Sequence, residues 1–375
     1  MEVLRPAAIA RCATAQDVTE ALALARREAL PLAVRSGGHC FAGRSSTTGV
    51  LIDVGGLDHV ALGDGVVTVG AGARLAAIYD ALAPHDRTIA GGCGATVGIA
   101  GLALGGGLGV LGRRHGLTCD QVIGAEVVLA DGTVVDADGD LLWALRGAGG
   151  GQFGIVTRLA LKTVPAPPTT CFHVTHPLAE APALIDWWQR VAPDAPEETA
   201  ASLVVRPDGV HLFGVGDIDG ATTPAMPYRE AKRWLNENGP PEQDATDERS
   251  KSEFFRDLIP GETIATLTRH FAHGSGAREL DFSPWGGAYN RTPPDATAFP
   301  HRDARFLLKL TGPPDWVERA YAITHPHGTG GAYVNFPDPY LDDPLTAYHG
   351  VNLERLREVK VTYDPGNVFR FPQSL

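Results

Sequence analysis

The segment Arg35–Gly43 reads RSGGHCFAG and directly follows the apolar run LPLAV at residues 30–34. A short apolar run predicts a strand, and consecutive glycines after a strand leave backbone N–H groups free to bind an anion such as a pyrophosphate. His39 stands next to those glycines. A histidine after a turn is usually an ordinary surface residue, but beside a cofactor its neutral imidazole is a ligand or a nucleophile. This segment alone leaves both interpretations open.

A second glycine-rich segment, GGCGATVGIAGLALGGGLG, occupies residues 91–109. The charge-free stretch around it is long enough to cross a bilayer, but lipid contact favours large apolar side chains over glycine. Backbone without side chains instead approaches a large planar or extended ligand closely. Two such segments in one domain therefore predict a long cofactor bound between them. Cys93 is either a small filler there or a thiolate that tethers the ligand.

The stretch GLGVLG at residues 107–112 matches the G-x-G-x-x-G dinucleotide fingerprint, and Asp131 follows at the spacing of a ribose-binding acid. That fingerprint needs an apolar strand before its first glycine and a helix after its last. Here more glycine precedes it, and glycines weaken the helix that should follow. A nicotinamide-dependent dehydrogenase is therefore a minor alternative.

The composition excludes several function classes. The chain has 375 residues, of which 44% are hydrophobic, enough for two domains. Its net charge of −12 argues against nucleic acid and against an anionic membrane surface as partners. Five scattered cysteines without C-x-x-C spacing predict neither a disulfide framework nor a metal site. With no recognisable signal peptide, we expect a cytoplasmic protein. The sequence does not predict an oligomeric state.

Residues 6–35 predict a βαβ unit. Thr14 and Asp17 have the spacing of a capping box, and the helix that follows should bury its apolar side. The residues predicted on that side are Val18, Ala21, Leu22 and Ala25. The proline-rich TVPAPPTT at residues 163–170 predicts a domain boundary, after which strands and helices mix.

The chain resembles the FAD-linked oxidases of the vanillyl-alcohol-oxidase fold, and within them the berberine-bridge-enzyme-like group. The resemblance rests on collinear segments that span nearly the whole chain. They are VRSGGHCFAGRSS (34–46), GATVGIAGLALGGGLGVLGRRHGLTCD (94–120), LLWALRGAGGGQFGIVT (141–157), GGAYNRTPPDATAFPHRDARFLL (286–308) and LREVKVTYDPGNVFRFPQSL (356–375).

This resemblance implies an α+β protein with a two-subdomain FAD-binding domain of that fold and an α/β substrate domain. We expect the FAD-binding domain at residues 1–168, the substrate domain at 169–330, and a C-terminal segment at 331–375 that returns to the FAD-binding domain.

The resemblance also implies that His39 carries FAD covalently through the 8α-methyl carbon of the flavin. Doubly tethered members place a cysteine directly before Pro-Thr-Val-Gly, whereas here Gly94 precedes ATVG and Cys93 lies one residue earlier. We therefore expect a single tether, with Cys93 still lining the flavin site. The predicted cofactor-binding residues are Arg35, Ser36, Gly37, Gly38, His39, Gly43, Ser45, Gly92, Cys93, Gly94, Thr96, Gly98, Gly101, Leu102, Gly106, Leu108, Gly109, Ile155, Val156, Asn335 and Asn352.

The chain departs from the group at a catalytic position. Many members carry a catalytic tyrosine at the end of Tyr-x-Asn-Tyr, but this chain reads YVNF and has Phe336 there, which cannot act as a base. Tyr333, Tyr289 and His301 are the candidate proton acceptors. The alternatives are, respectively, a packed aromatic residue, an exposed tyrosine and a surface histidine. Tyr333 and Asn335 are expected to hold the flavin.

The resemblance implies an oxidase that removes hydride from a small organic or secondary-metabolite substrate and passes the electrons to oxygen, which yields hydrogen peroxide. Phe336 favours amine oxidation or an oxidative cyclisation, because a neutral amine needs no strong base. The alternative from another class is a flavin-bound cyclase or scaffold with little net redox chemistry.

Overall fold

The computed structural model describes residues 4–217, 222–240 and 249–375. In the first part of the chain the strands are β1 (Ala8–Arg11), β2 (Leu32–Arg35), β3 (Val50–Asp53), β4 (Val60–Gly63), β5 (Val66–Gly70), β6 (Arg87–Thr88), β7 (Val122–Val128), β8 (Val134–Asp136), β9 (Ile155–Lys162) and β10 (Val164–Pro165). The helices there are α1 (Ala15–Arg27), α2 (Leu75–Leu82), α3 (Ile99–Leu104), α4 (Gly112–His115) and α5 (Gly139–Ala144).

The βαβ unit predicted for residues 6–35 is confirmed. β1 and β2 both pair in parallel with β3 in a sheet of order β1-β3-β2. Thr14 Oγ1 accepts from the Asp17 backbone N–H, and the Asp17 carboxylate accepts from the Thr14 N–H, which completes the capping box that starts α1. The buried residues of α1 are the four predicted from its spacing.

An antiparallel sheet of order β4-β5-β9-β7-β8 packs beside the parallel one. Asp131 and Gly132 form the tight turn between β7 and β8, and Gly132 adopts the positive φ of 91° that such a turn requires. Both sheets contribute to one apolar core, because Ile52 of β3, Val69 of β5 and Leu159 of β9 belong to the same buried cluster.

The following part of the chain forms a separate antiparallel sheet of order β11-β13-β12-β15-β16-β14. Its strands are β11 (Cys171–His176), β12 (Ala200–Arg206), β13 (Gly209–Val215), β14 (Arg249–Phe255), β15 (Glu279–Pro284) and β16 (Phe306–Gly312). The accompanying helices are α6 (Ala181–Val191), α7 (Tyr228–Asn238), α8 (Gly261–His273), α9 (Ala288–Arg291) and α10 (Pro314–Thr324). Helices α6, α8 and α10 cover one face of this sheet and bury its apolar side chains.

The end of the chain packs against the first core. It contains α11 (Pro344–His349) and α12 (Leu353–Tyr363), and Leu356 and Val359 of α12 join the buried cluster of the first two sheets. Lys360 holds the C-terminal segment against the first core, because its buried Nζ donates to Gln152 O at 2.7 Å and to Asp364 Oδ2 at 2.8 Å. The exact domain boundaries at residues 168 and 330 stay predictions.

Within the described ranges, none of the helices combines the length and the apolar character that crossing a bilayer requires. The glycine-rich residues 91–109 instead form loops around the six-residue helix α3.

The two glycine-rich segments touch each other backbone to backbone. A Cβ at Gly37 would lie 2.3 Å from Gly98 N, closer than real Cβ atoms approach any atom. Arg74 holds the contact by donating from Nη1 to Gly37 O at 3.2 Å and also to Thr96 O. Gly37 and Gly98 are therefore required for space, which fixes the distance between the segments.

We predict that Gly37→Ala lowers the free energy of unfolding by about 1–3 kcal/mol, because the added methyl group meets backbone that cannot move aside. Urea denaturation measures the change. Gly63→Ala is the matched control, since nothing lies within 4 Å of its Cβ position. Equal stability of the two variants would show that the close contact does not constrain the fold.

Candidate functional site

A cavity of about 420 Å³ opens where the glycine-rich segments meet the end of the chain. The residues that line it come from stretches far apart in the sequence. These stretches fall within 32–45, 97–108, 149–156, 333–337 and 369–371, and Val54 lines the cavity as well.

The first glycine-rich segment forms one wall just beyond the carboxyl end of β2. Ser36, Gly37, Gly38 and His39 line the cavity, and Gly38 adopts a φ of +78°, which favours glycine. Ligands bind at the carboxyl ends of parallel strands in open sheets, where backbone N–H groups are unpaired. This wall therefore suits a phosphate-bearing ligand.

His39 lies at the rim of the cavity with an exposed ring. Its Nε2 is 2.9 Å from Thr96 Oγ1 on the second glycine-rich segment. When Nε2 carries the hydrogen and donates it to Thr96, Nδ1 keeps its lone pair. The contact thus orients the imidazole and leaves one nitrogen nucleophilic.

The second segment forms the opposite wall. Gly98 and Gly101 line the cavity together with the apolar side chains of Leu102 and Leu108. Nothing lies within 4 Å of the Cβ position of Gly101, so bare backbone faces open space there. An extended cavity with glycine backbone on two sides and apolar side chains between them fits FAD.

Part of the predicted cofactor-binding set meets at this cavity. The predicted residues that line it are Ser36, Gly37, Gly38, His39, Ser45, Gly98, Gly101, Leu102, Leu108, Ile155, Val156 and Asn335.

The other predicted residues do not line the cavity. Arg35 turns away and donates to Ser45 O at 3.1 Å, and Asn352 donates to Thr297 O at 3.1 Å. Gly106 and Gly109 provide room for neighbours, since a Cβ at Gly109 would lie 2.2 Å from Gly91 O. The predicted residues outside the lining are Arg35, Gly43, Gly92, Cys93, Gly94, Thr96, Gly106, Gly109 and Asn352.

Cys93 does not line this cavity, and its expected place beside the flavin stays a prediction. Its side chain packs near Cys171 and α7, and its sulfur is 3.7 Å from Lys232 Nζ. The same Nζ donates to Gly91 O and Gly92 O, which fixes the loop with Cys93 turned toward α7. Burial lowers the pKa of Lys232.

Only one of the three candidate proton acceptors lines the cavity. Tyr333 does, and its hydroxyl accepts from Gly107 N at 2.8 Å and from Asn335 Nδ2 at 3.1 Å. Burial raises the pKa of the Tyr333 phenol, which stays protonated at neutral pH. The two hydrogen bonds tie the 333–337 stretch to the second glycine-rich segment.

Tyr289 and His301 lie outside the cavity lining, and their roles as proton acceptors stay predictions. Tyr289 is buried, donates to Gly109 O at 3.2 Å and stacks on Trp285. His301 stacks on Phe254 with ring centroids 4.5 Å apart, and burial lowers its pKa to about 4. Neither is the exposed residue named as its alternative.

The structure adds residues that the sequence analysis omitted. Gly149, Gly150, Gly151 and Gln152 line the cavity. The run GAGGG at residues 147–151 is a third glycine-rich segment, and this composition is the feature of the sequence that indicates a further part of the cavity wall. Phe369 and neighbouring residues also line the cavity, but their position depends on how the C-terminal segment packs against the first core.

The G-x-G-x-x-G stretch lacks the surroundings of a nicotinamide site. Helix α3 and a loop precede it, and only the four-residue α4 follows. Asp131 caps its own turn by accepting from Thr133 N at 2.8 Å. Among the residues described, no three His, Cys, Asp or Glu side chains are grouped as a metal ion requires.

Comparison with known proteins agrees with this geometry. A family model described as FAD binding domain matches residues 6–138, and one described as berberine and berberine like matches residues 332–375. The FAD-linked oxidoreductase YgaK of Bacillus subtilis is 32% identical over 99% of this chain and 91% of its own length. Reticuline oxidase of Eschscholzia californica is 28% identical over 100% of this chain and 84% of its own.

Solved structures give the same result. Berberine-bridge-enzyme-like protein 1 of Physcomitrella patens superposes with a TM-score of 0.89 and 28% identity, covering 99% of this chain and 91% of that one. The likeness extends over nearly the whole chain, and FAD is the cofactor that it implies. The chain belongs to the berberine-bridge-enzyme-like family of FAD-linked oxidoreductases.

Proposed function

We propose that the protein is an oxidase that removes hydride from a small organic substrate and uses oxygen as the electron acceptor, with hydrogen peroxide as product. The observation that carries this proposal is the meeting of three glycine-rich segments and His39 at one cavity. Family membership and the oxidase activity named for reticuline oxidase support it.

The chain's own residues bind and orient the cofactor. FAD, when bound, supplies the redox chemistry by accepting a hydride and giving electrons to oxygen. Backbone N–H groups of Ser36, Gly37 and Gly38 are suited to its pyrophosphate. The apolar side chains of Leu102 and Leu108 exclude water from one side of the cavity.

We further propose that His39 is the covalent attachment point, through Nδ1. The bond between its Nε2 and Thr96 supports this assignment, because it leaves the lone pair on the other ring nitrogen. Cys93 contributes no second attachment in this proposal, since its sulfur lies beside Lys232 on the side of α7.

A second candidate function is a flavin-bound cyclase or scaffold with little net redox chemistry. Phe336 favours it, because this ring lines the cavity and packs edge-on against Tyr333 with centroids 4.9 Å apart. A phenylalanine provides no proton acceptor at that place.

The oxidase proposal predicts that alcohols or amines bleach the flavin absorption of the purified protein in the absence of oxygen. Admitting oxygen should then restore the colour and release one hydrogen peroxide per flavin reoxidised. Stopped-flow absorbance and a peroxide assay measure both steps. If no donor bleaches the flavin while a substrate is still cyclised, the scaffold function replaces the oxidase.

The attachment proposal predicts that wild-type protein keeps its flavin through acid precipitation, whereas His39→Ala releases it. The glycine walls remain in this variant, so it should still bind FAD reversibly. Thr96→Val should retain less covalent flavin than wild type, because it removes the partner of Nε2. His85→Ala is the control, since this exposed histidine does not line the cavity. Covalent flavin in His39→Ala would contradict the assignment.

A further inference from the structure

The cavity between the glycine-rich segments has a cationic lining, although the chain as a whole is acidic. The sequence has 44 Asp and Glu residues against 32 Lys and Arg, which gives the net charge of −12. Within the described ranges, the side chains that line the cavity include those of Arg44 and Arg370 but none of an aspartate or glutamate. A cleft lined by charge of one sign attracts ligands of the opposite sign. The cavity therefore suits a ligand with an anionic group.

The charge of Arg44 is not neutralised by a carboxylate. In the part of the chain that the structure describes, no ion pair includes this residue. Asp338 is close by, since its carbonyl accepts from Gln373, a partner of Arg44. The Asp338 carboxylate is paired instead with Arg249 Nη2 and Lys251 Nζ, each at 3.0 Å. The Arg44 charge is thus available for a ligand.

Neutral groups hold the Arg44 side chain in place. Its Nη2 donates to Gln373 Oε1 at 2.6 Å. Its guanidinium carbon lies 4.9 Å from the centroid of the Phe371 ring and 5.9 Å from that of Tyr348. A guanidinium has five N–H donors, so most of them remain for a ligand. These contacts orient the guanidinium without neutralising its charge.

Arg44 connects the first glycine-rich segment with the third. The side chain of Arg35, the first residue of RSGGH, donates from Nε to Ser45 O at 3.1 Å, which folds residues 44–45 back toward that segment. The Phe371 ring under the Arg44 guanidinium lies 3.7 Å from the Cβ position of Gly151 in the third segment. The cation is therefore next to the backbone that suits a phosphate group.

We propose that Arg44 binds the diphosphate of FAD, together with the backbone N–H groups of Ser36, Gly37 and Gly38. This inference rests on the cofactor site of the proposed function and does not require the oxidase reaction. A guanidinium suits a phosphate because its parallel N–H groups bind two oxygens at once. Backbone N–H groups carry no full charge, so Arg44 supplies the counter-ion that the diphosphate needs.

Two other assignments are less well supported. Arg370 also lines the cavity, but its side chain is exposed, and water screens the attraction of an exposed charge. The carboxylate of an acidic donor is another anion that fits an arginine. The bond between Arg35 and Ser45 favours the diphosphate, because it places Arg44 beside the segment with free backbone N–H groups.

The test measures flavin binding to apoprotein of His39→Ala, prepared from riboflavin-starved cells. Titrations with FAD are compared with titrations with riboflavin, which has the flavin ring but no phosphate. Adding Arg44→Met should raise the Kd for FAD about tenfold or more, because a hydrogen-bonded charge contact is lost. The Kd for riboflavin should change less than about threefold, since methionine keeps an apolar stem over Phe371.

Two further variants in the same background complete the comparison. Arg11→Met is the matched control, because this exposed arginine does not line the cavity, and its Kd for FAD should change less than about threefold. Arg44→Lys keeps the charge without the planar fork and should give an intermediate Kd. Added salt should weaken FAD binding to the parent more than to Arg44→Met, since the parent has one more charge contact to screen.

ADP and adenosine give the same comparison without a flavin. Neither can be attached to the chain through a flavin ring, so apoprotein with His39 intact is used. Arg44→Met should raise the Kd for ADP about tenfold and that for adenosine less than about threefold. This measurement holds even if the attachment point is not His39.

The outcomes separate this inference from the others. Equal weakening of FAD and riboflavin would show that Arg44 only supports the C-terminal segment, and it would overturn the inference. An unchanged Kd for FAD would overturn it too, and weaker binding of carboxylate-bearing donors to Arg44→Met would then assign the anion to the donor. A protein that oxidises no donor would end the oxidase proposal, whereas the titrations would still decide the role of Arg44.

Discussion

The backbone contact between Gly37 and Gly98 is the constraint on which the rest of the site depends. It brings the end of β2 against the start of α3 at a distance that excludes any side chain. The wall beyond β2 and the wall along α3 then diverge from this contact, and the cavity lies between them. Arg74 stabilises the arrangement by donating to a carbonyl on each segment. Thr96 is thereby brought next to His39, which orients the ring.

A second constraint fixes the six-stranded antiparallel sheet relative to the part of the chain that forms the cavity. Arg113 of α4 is buried, and its five N–H donors bind five backbone carbonyls. These carbonyls belong to Pro193, Ala195, Pro196, Thr199 and Trp285. If α4 moved relative to residues 193–199 and Trp285, the planar guanidinium of Arg113 would lose these hydrogen bonds. Each lost bond would leave a buried polar group unpaired, which costs free energy. Arg113 therefore holds the two parts together, along with Lys232, which donates to Gly91 O and Gly92 O, and Tyr289, which donates to Gly109 O.

Local chemistry made the beginning of the fold predictable. The capping box of α1, its four buried residues and the turn at Asp131 depend on neighbours a few residues away. The resemblance supplied the cofactor and the overall architecture. The side-chain directions at Cys93, Tyr289 and His301 depend on contacts with Lys232, Gly109 and Phe254, which lie far away in the sequence. Motif spacing carries no information about these partners, so it does not show that these side chains lie outside the cavity lining.

Phenylalanine at position 336 provides no proton acceptor at its place in the cavity wall. The stretch 333–337 carries Phe336 and the buried phenol of Tyr333 and offers no ionised group, whereas Lys309 Nζ on the six-stranded sheet lies 5.3 Å from the centroid of the Phe336 ring. There the charges alternate from Arg206 through Glu279 and Lys309 to Asp281. This alternation lowers the free-energy cost of burying the four charged side chains, because each one lies beside a side chain of opposite charge.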